Sequence, residues 1–569
     1  MDHSNISILF PYFEDTEYKQ LTPAAAHDLG LDAVCRELSE DQKERRMITN
    51  ILTNMTSDKR VALYRQKVFA DILAMPELRK RLTELFDRLE FLREFGGMKK
   101  ATDEKLGIWY LMHRLDELDE YISCVEEIKD CLDNENVKSE GLVRFREHIT
   151  SVYDDHCFAE MKKDIAALKL KASDVKSVTV GINVNERFEA TSVGLISVNS
   201  KQFRKSGIVS SFADAIAAKG GIKDDAEWDG TMHYHEVAAD GSRSLEKGLT
   251  FFMMKGAPFL DERVRETVAN VPDGDGLNNS PAYLEKVFDK LLDTLVKKLR
   301  DTLSKYVNVA VVDISKLIPE FVYYIRMAEF VEKKQAEGFS FCEAQILDDP
   351  DVSMRAKGLY NLRLAVEMTD SKSIVTNDLD FDTADTVYIL TGANRGGKTT
   401  ITQAVGQLFL LAQGGIYVPA DSFEYRPADC IFTHFPADED KTLDLGRLGE
   451  ECVRFRELYS ACTSDSLVLL NESFSTTSFE EGCFIAKDSV RALLGKSVRT
   501  IYNTHMHKLA EDIGELNSGF SANAASLVVK SEGGSRSFKA VKAPPEGLSY
   551  ARDIAEKYGV TYEMLTSGE

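Results

Sequence analysis

The sequence predicts a multidomain chain of α + α/β class: a long helical core and lever region, followed by an α/β domain built on a phosphate loop. Three observations carry this. Leucines recur at helical spacing in Leu78, Leu82, Leu85, Leu89 and Leu92, and apolar residues do so again in Leu284, Val287, Leu291, Leu295 and Leu299. Beyond about residue 350, short apolar runs alternate with helical ones, the pattern of a largely parallel sheet covered by helices. The length, 569 residues, suits roughly three to four domains.

Residues 1–172 read as a helical core domain. Pro76 breaks it within Leu73-Ala74-Met75-Pro76-Glu77-Leu78-Arg79, because proline restricts the residue before it. A second helical pattern covers 103–170, with Leu115, Leu118, Ile122 and Val125 on one face. Residues 173–280 form a β-containing, irregular insertion. Val178, Val180, Ile182 and Val184 alternate as in a half-buried strand, and Asn185-Glu186 turns toward a second strand near Leu195-Ile196-Ser197-Val198. Residues 200–275 are glycine-rich and of mixed polarity. There His233-Tyr234-His235-Glu236 reads as strand, since two histidines lack a third metal ligand. Lys201, Arg204, Lys205, Lys219 and Lys223 form a basic cluster, a solvated face or a contact to DNA backbone. Residues 281–345 return to long helices, 346–569 make the α/β domain, and one short helix follows Ser549.

Hydrophobic residues make up 43% and charged residues 29%, a balance that can bury a large core. No run reaches the ~20 apolar residues of a membrane helix. The first residues lack a signal-peptide pattern, and the nine cysteines are irregularly spaced. A cytoplasmic, reduced protein without membrane contact is expected. The net charge of −23 argues against non-specific coating of nucleic acid, so any DNA contact needs a local basic patch or an encircling shape.

The chemistry is concentrated late in the chain. Thr386-Val387-Tyr388-Ile389-Leu390 is a short apolar strand, and Gly392-Ala393-Asn394-Arg395-Gly396-Gly397-Lys398-Thr399 matches G-x-x-x-x-G-K-[ST] in full. The glycines let backbone N–H groups curl around phosphates, Lys398 supplies a point charge, and the Thr399 hydroxyl ligates Mg²⁺. Ile401, Val405, Leu408, Phe409 and Leu411 follow at helical spacing, so the phosphates sit at a helix N-terminus. ATP and Mg²⁺ are the expected cofactors. A second apolar strand ends in Leu470-Asn471-Glu472. Asn471 stands where an acid would hold Mg²⁺ and offers only a neutral acceptor, while Glu472 is the candidate general base. A third strand, Val498 to Asn503, leads to His505, a candidate γ-phosphate sensor; His507 reads as structural.

These residues carry a family resemblance. Val375-Thr376-Asn377-Asp378, the Thr391–Thr400 loop with Asn394, Ala412-Gln413, Val418-Pro419-Ala420, Leu467 to Glu472, Thr504-His505 and Gly547-Leu548-Ser549-Tyr550-Ala551 resemble the ATPase domain of the MutS family of DNA mismatch repair and recombination proteins. Upstream, Thr56 to Leu73 is similar to the start of its helical core, and 281–345 to its lever helices. The resemblance implies an ABC-like ATPase that forms a homodimer through its ATPase domains. Asn377, Asn394, Gly396, Gly397 and Thr400 would join Gly392, Lys398 and Thr399 around the nucleotide. Thr399, Asn471 and Glu472 would meet the metal, and Glu472 and His505 would be catalytic. Each subunit would offer Leu445-Gly446-Arg447-Leu448-Gly449-Glu450-Glu451 to its partner's site.

The chain also departs from the family. That segment lacks the usual serine, leaving the N–H groups of Gly446 and Gly449. The loop Ser473-Phe474-Ser475-Thr476-Thr477-Ser478 lacks Gly-Arg-Gly. A mismatch-reading domain with its Phe-x-Glu wedge has no room before the helical core, and a C-terminal Smr-type nuclease is not expected. Phe341-Cys342-Glu343 matches the wedge letters by coincidence. A divergent, shortened MutS-like protein is therefore expected, an ATP-driven clamp on mismatched, branched or otherwise structured DNA. The alternatives are an ATPase switch acting on a protein partner and a nucleotide-binding scaffold with weak hydrolysis.

Overall fold

The computed structural model describes residues 6–11, 15–96, 108–172, 177–184, 186, 190–199, 268–270, 301–303, 311–349, 351–368, 370–393, 396–436, 446–532, 535–545, 556 and 558–566. Two compact units divide the chain: Met1–Thr83 with Leu132–Glu147 and Lys316–Glu569, and Glu84–Cys131 with His148–Ser315. The glycine-rich stretch 200–267 with its histidines and basic cluster, and the helical run Leu284 to Leu299, lie outside the described residues.

The N-terminal region is helical, and its helix starts carry side-chain caps. In α1 (Pro23–Asp28), Thr22 caps the amide of Ala25 and proline takes the first position. After α2 (Leu31–Leu38), Asp41 caps α3 (Gln42–Leu52) and Asp58 caps α4 (Lys59–Ala74). Met75 interrupts the run and α5 (Pro76–Gly96) begins at the proline, as the sequence predicts. Leu78, Leu82 and Leu85 are buried as expected. The second helical pattern comprises three helices: α6 (Ile108–Asn134), α7 (Glu140–Asp154) and α8 (His156–Ala172). Asp155 explains one break, since its carboxylate accepts from the amide of Cys157 at 2.6 Å, a cap that competes with helix continuation. Leu115, Leu118, Ile122 and Val125 form the predicted buried face.

Two short strands of the first unit, β1 (Lys19–Gln20) and β2 (Asn54–Met55), pair antiparallel; in the second unit, β3 (Ser177–Val184) and β4 (Ala190–Asn199) pair antiparallel, and β5 (Val268–Asn270) adds to β4. The predicted alternating strand and its hairpin partner are both present. The helix α9 (Val311–Ala336) buries Phe321, Tyr323, Tyr324 and Val331. Phe341 beyond it is buried edge-on against Phe330 and Tyr360, at centroid distances of 6.2 Å each, and does not form an exposed wedge.

The C-terminal region is mixed α/β. A four-stranded sheet has the order β6-β10-β7-β8, from β6 (Ala344–Ile346), β7 (Val352–Leu359), β8 (Asn377–Asp382) and β10 (Ser422–Tyr425). A six-stranded sheet has the order β11-β12-β13-β9-β14-β15. Its strands are β9 (Asp385–Gly392), β11 (Ile431–His434), β12 (Leu467–Asn471), β13 (Arg499–Asn503), β14 (Asn523–Glu532) and β15 (Ser535–Lys542). All neighbours pair parallel except β14 with β15, which form an antiparallel edge. The short helix α10 (Leu362–Glu367) precedes β8, and α11 (Lys398–Gln413) follows β9.

Nearly every residue of α11 is buried, which needs cover on both sides. The sheet supplies one side and the N-terminal helices the other. Gln403 and Gln407 donate to the carbonyls of Asp28 and Leu29 at 2.7 and 2.8 Å. A Cβ at Gly406 would stand 2.5 Å from a Leu29 methyl and 2.7 Å from one of Leu469, so the close approach requires glycine. After β11 come α12 (Gly446–Ala461) and, after β12, α13 (Phe479–Lys496); α14 (His507–Glu511), α15 (Ile513–Leu516) and α16 (Tyr562–Thr566) complete the described helices. Among the described residues no helix is long and apolar enough to cross a membrane, and all nine cysteines are free thiols.

Candidate functional site

Parallel strands that stop together leave their polar ends at one sheet edge, the usual location of ligands in such sheets. The register brings Leu390 beside Asn503 and Asn503 beside Asn471. Each strand is apolar within and polar just beyond, so the edge gathers the chemistry of three separate segments.

The first segment is the loop between β9 and α11. Gly397 has φ 90° and Gly392 φ 141°, conformations that favour glycine. At Gly392 a Cβ would also stand 3.0 Å from the carbonyl oxygen of Val529. Asn394 lies outside the described residues. Lys398 is only 5% exposed, and its Nζ donates to the carbonyls of Gly392 and Ala393 at 3.2 and 3.3 Å. Burial lowers the pKa of this ammonium, and the nearby Glu472 carboxylate opposes the shift.

Thr399 opens the second group of contacts. Its hydroxyl donates to Asn471 Oδ1 at 2.9 Å, and Asn503 Nδ2 donates to the same hydroxyl at 3.2 Å and also to Asn471 Oδ1. Asn503 is fully buried, and its Oδ1 has no hydrogen-bond partner among the described residues.

The third group joins Glu472 and His505. Glu472 stands at φ 52°, with its amide donating to the Asn503 carbonyl at 2.9 Å. His505 Nε2 lies 3.0 Å from Glu472 Oε1, and the His505 amide donates to Oε2 at 3.2 Å. His505 Nδ1 lies 3.4 Å from Lys398 Nζ. An ammonium only donates, so Nδ1 accepts and the proton sits on Nε2, facing Glu472.

A cavity of about 540 Å³ lies over these groups. Gly396, Gly397, Lys398, Thr399, Thr400, Asn377, Glu472 and His505 all line it. Asn377 also fastens the sheet edge, donating to the Phe538 carbonyl at 3.1 Å and accepting from the Ala540 amide at 2.8 Å. Gly446 and Gly449 lie in the first turn of α12 and are not among the lining residues. His507 Nδ1 has no hydrogen-bond partner among the described residues, and burial lowers the pKa of this ring.

Sequence reasoning missed three contributors. Asn361 donates to the Thr400 carbonyl at 2.9 Å and fixes the start of α11. Asn503 sits in the same strand-end position as Asn471, and that shared ending was the available signal. Phe538 stands at φ 55° at the cavity wall, 39% exposed, with Ile374 also lining the space. Nothing in the run Ser535–Lys542 marks it.

Residues 388–567 match the family model for MutS domain V, and residues 57–336 match that for the MutS2 N-terminal domain. The chain belongs to the MutS family. The MutS domain V match begins inside β9 and contains Lys398, Thr399, Asn471, Glu472 and His505. The DNA mismatch repair protein MutS of Prochlorococcus marinus (strain MIT 9301) is 36% identical over 145 residues, 25% of this chain and 16% of that protein. DNA mismatch repair protein MutS 2 of Halobacterium salinarum is 30% identical over 198 residues, 34% of this chain and 22% of that protein. MutS of Chlamydia muridarum is 29% identical over 238 residues, 40% and 28% of the two chains. The matched stretches thus span between 16% and 28% of these MutS relatives.

Proposed function

We propose that the chain is a MutS-type ATPase that couples a nucleotide-driven dimer to structured DNA in repair or recombination. The observation that carries this reading is the convergence of Lys398, Thr399, Glu472 and His505 on one cavity of about 540 Å³. The triphosphate would lie along the amides of Gly396 to Thr400, with Lys398 against its β- and γ-phosphates. The base would stack on Phe538 beside Ile374.

The donor set suits a hard cation, since it offers the Thr399 hydroxyl, amide oxygens and the Glu472 carboxylate. Asn503 Oδ1, buried without a partner, adds a further oxygen at this end of the site. Mg²⁺ held by Thr399, Asn471 and Glu472 would neutralise charge on the β- and γ-phosphates. Glu472 would take a proton from the attacking water. His505 would orient that carboxylate through its Nε2–H, and Lys398 would hold the γ-phosphate.

In this reading residues 346–569 are the ABC-like ATPase domain. Two such domains dimerise, and Gly446 and Gly449 of each face the other's nucleotide. Residues 281–345 act as levers, 1–172 as the helical core, and 173–280 as a clamp-like insertion that meets DNA. Asn471 favours a second reading, a nucleotide-binding scaffold with slow turnover, because a neutral amide binds Mg²⁺ less firmly than a carboxylate.

The test is steady-state ATP turnover by the full chain, alone and with duplex, mismatched and branched DNA at two salt concentrations. Stimulation by one DNA form, weakening as salt rises, is expected because phosphate contacts release counterions. Turnover indifferent to every DNA, with no binding at low salt, would sink the DNA reading and point to a protein partner.

A further inference from the structure

Glu472 and Phe474 both stand at positive φ, 52° and 61°. Residues with a Cβ hold that conformation only where their surroundings over-determine it. Ser473 between them is 2% exposed and makes three contacts of its own. Its carbonyl accepts from the Tyr502 hydroxyl at 2.9 Å. Its hydroxyl lies 2.7 Å from His434 Nδ1 and 3.0 Å from the His434 carbonyl.

His434 ends β11 and is 2% exposed. Its Nε2 lies 3.0 Å from the carbonyl of Glu451 on α12. A carbonyl only accepts, so in the neutral ring Nε2 carries the proton, and the single Ser473 hydroxyl proton is shared between the two acceptors that face it, Nδ1 and the His434 carbonyl. Burial, helped by Arg454, pushes the imidazole down to about 4, in keeping with a neutral ring. Glu451 closes the circuit: its Oε2 accepts from the Phe474 amide at 2.7 Å. The rings of Phe474 and of Phe455 on α12 flank His434, at 5.6 and 6.1 Å. Arg454 adds a bond to the Phe435 carbonyl at 2.9 Å.

Three elements are therefore joined by buried bonds: the end of β11, the turn carrying Glu472, and helix α12. Ser473, His434 and Glu451 line no part of the cavity, so their bonds cannot serve nucleotide binding directly. A displacement of α12 moves both the carbonyl and the carboxylate of Glu451. That pulls on Ser473 and Phe474, the two residues that follow Glu472 in the turn and help to fix it. Slack elsewhere is small, because every bond broken here leaves a buried polar group unsatisfied.

We infer that His434, Ser473 and Glu451 are positioning residues for hydrolysis, holding the Glu472 carboxylate in place and tying it to helix α12. The inference rests on Glu472 being the general base proposed above. The test measures single-turnover ATP hydrolysis and equilibrium nucleotide affinity on the full chain. Ser473→Ala is expected to slow hydrolysis by between about tenfold and a hundredfold, the scale of a small misplacement. Affinity should stay within about twofold, as for a group acting only on the chemical step. Glu451→Ala should behave alike, while Glu451→Gln, which still offers an oxygen to the Phe474 amide, should restore most of the rate. The double variant S473A/E451A should be no slower than the slower single, since both cut one chain.

Wild-type rates in both alanine variants, or equal losses of rate and affinity, would overturn the inference. If Ser473→Ala does not fold, the Glu451 pair decides alone: equal rates for Glu451→Gln and Glu451→Ala would overturn it. Glu472→Gln in the same series separates the two levels. Undiminished turnover there would mean that the general-base reading has failed. Slow turnover there, with fast Ser473→Ala and Glu451→Ala, would mean that only the positioning role has failed.

Discussion

In the proposed phosphate arm, the described residues Gly392, Ala393 and Gly396 to Thr400 include two glycines at positive φ and a lysine folded back onto the carbonyls of Gly392 and Ala393. Between Asn471 and Phe474 the acid arm is held by residues from elsewhere: Thr399, Asn503, Tyr502, His434 and Glu451. The phosphate arm obeys its motif because contiguous residues suffice to build a ring of N–H donors. The acid arm is free to depart from its motif because distant side chains set its geometry. Binding and hydrolysis should therefore be separable by mutation.

The largest expected effect breaks the arms apart. Glu472→Gln should lower the hydrolysis rate by about 10²–10⁴-fold, the usual contribution of a general base, while nucleotide affinity holds. Lys398→Ala should weaken nucleotide binding by about tenfold to a hundredfold, the worth of one or two charge-assisted bonds. Affinity measured with a fluorescent nucleotide, beside single-turnover rates, checks both. If the two variants lose rate and affinity in the same proportion, the arms do not work separately.

The second effect concerns stability and belongs to the acid arm alone. His434 has a folded value of about 4 against 6.5 for a free imidazole. Between those values the unfolded chain takes up a proton that the folded chain refuses. Stability is intact above pH 6.5 and should fall as pH drops toward 4, by at most ~3 kcal/mol. Glu451, raised by burial, works in the opposite sense over the carboxylate range. Urea unfolding of the full chain at pH 7.5 and 5 checks the slope (conditions chosen to bracket about one side of the shift). His434→Gln should flatten it, and an unchanged slope in that variant would assign the loss to other groups such as His507.

Much of the fold was legible. Leu115, Leu118, Ile122 and Val125 are one buried face, the alternation at Val178–Val184 is a strand, and the phosphate loop joins β9 to α11. These signals are local: a period or a contiguous motif. What stayed hidden depends on packing between distant segments. Nothing near Asp28 and Leu29 says that their carbonyls receive Gln403 and Gln407. The break between α7 and α8 rests on a short capping contact at Asp155 that a leucine pattern overrides on paper. In the site, Lys398, Thr399, Glu472 and His505 were found because motif and strand ends mark them. Asn503, Phe538 and His434 were not, since each gains its meaning only from a neighbouring strand or helix.

The smallest effect sharpens the comparison at the point where the arms touch. Thr399 belongs to the phosphate arm and Asn471 to the acid arm, and one 2.9 Å bond joins them. If a metal sits there, the charge of residue 471 should set how strongly nucleotide affinity depends on Mg²⁺. Asn471→Asp keeps the acceptor for Thr399 and for Asn503 Nδ2, so the local bonds survive, and it adds a negative charge. Nucleotide affinity titrated against free Mg²⁺ should then show tighter metal coupling, by about tenfold and no more than the roughly hundredfold of outer-sphere ligands. Nucleotide affinity without Mg²⁺ should fall, because the new carboxylate repels the phosphates when no cation stands between them. A variant whose affinity depends on Mg²⁺ no more than the parent's does would place the metal away from Asn471 and leave Thr399 as the arm's own ligand.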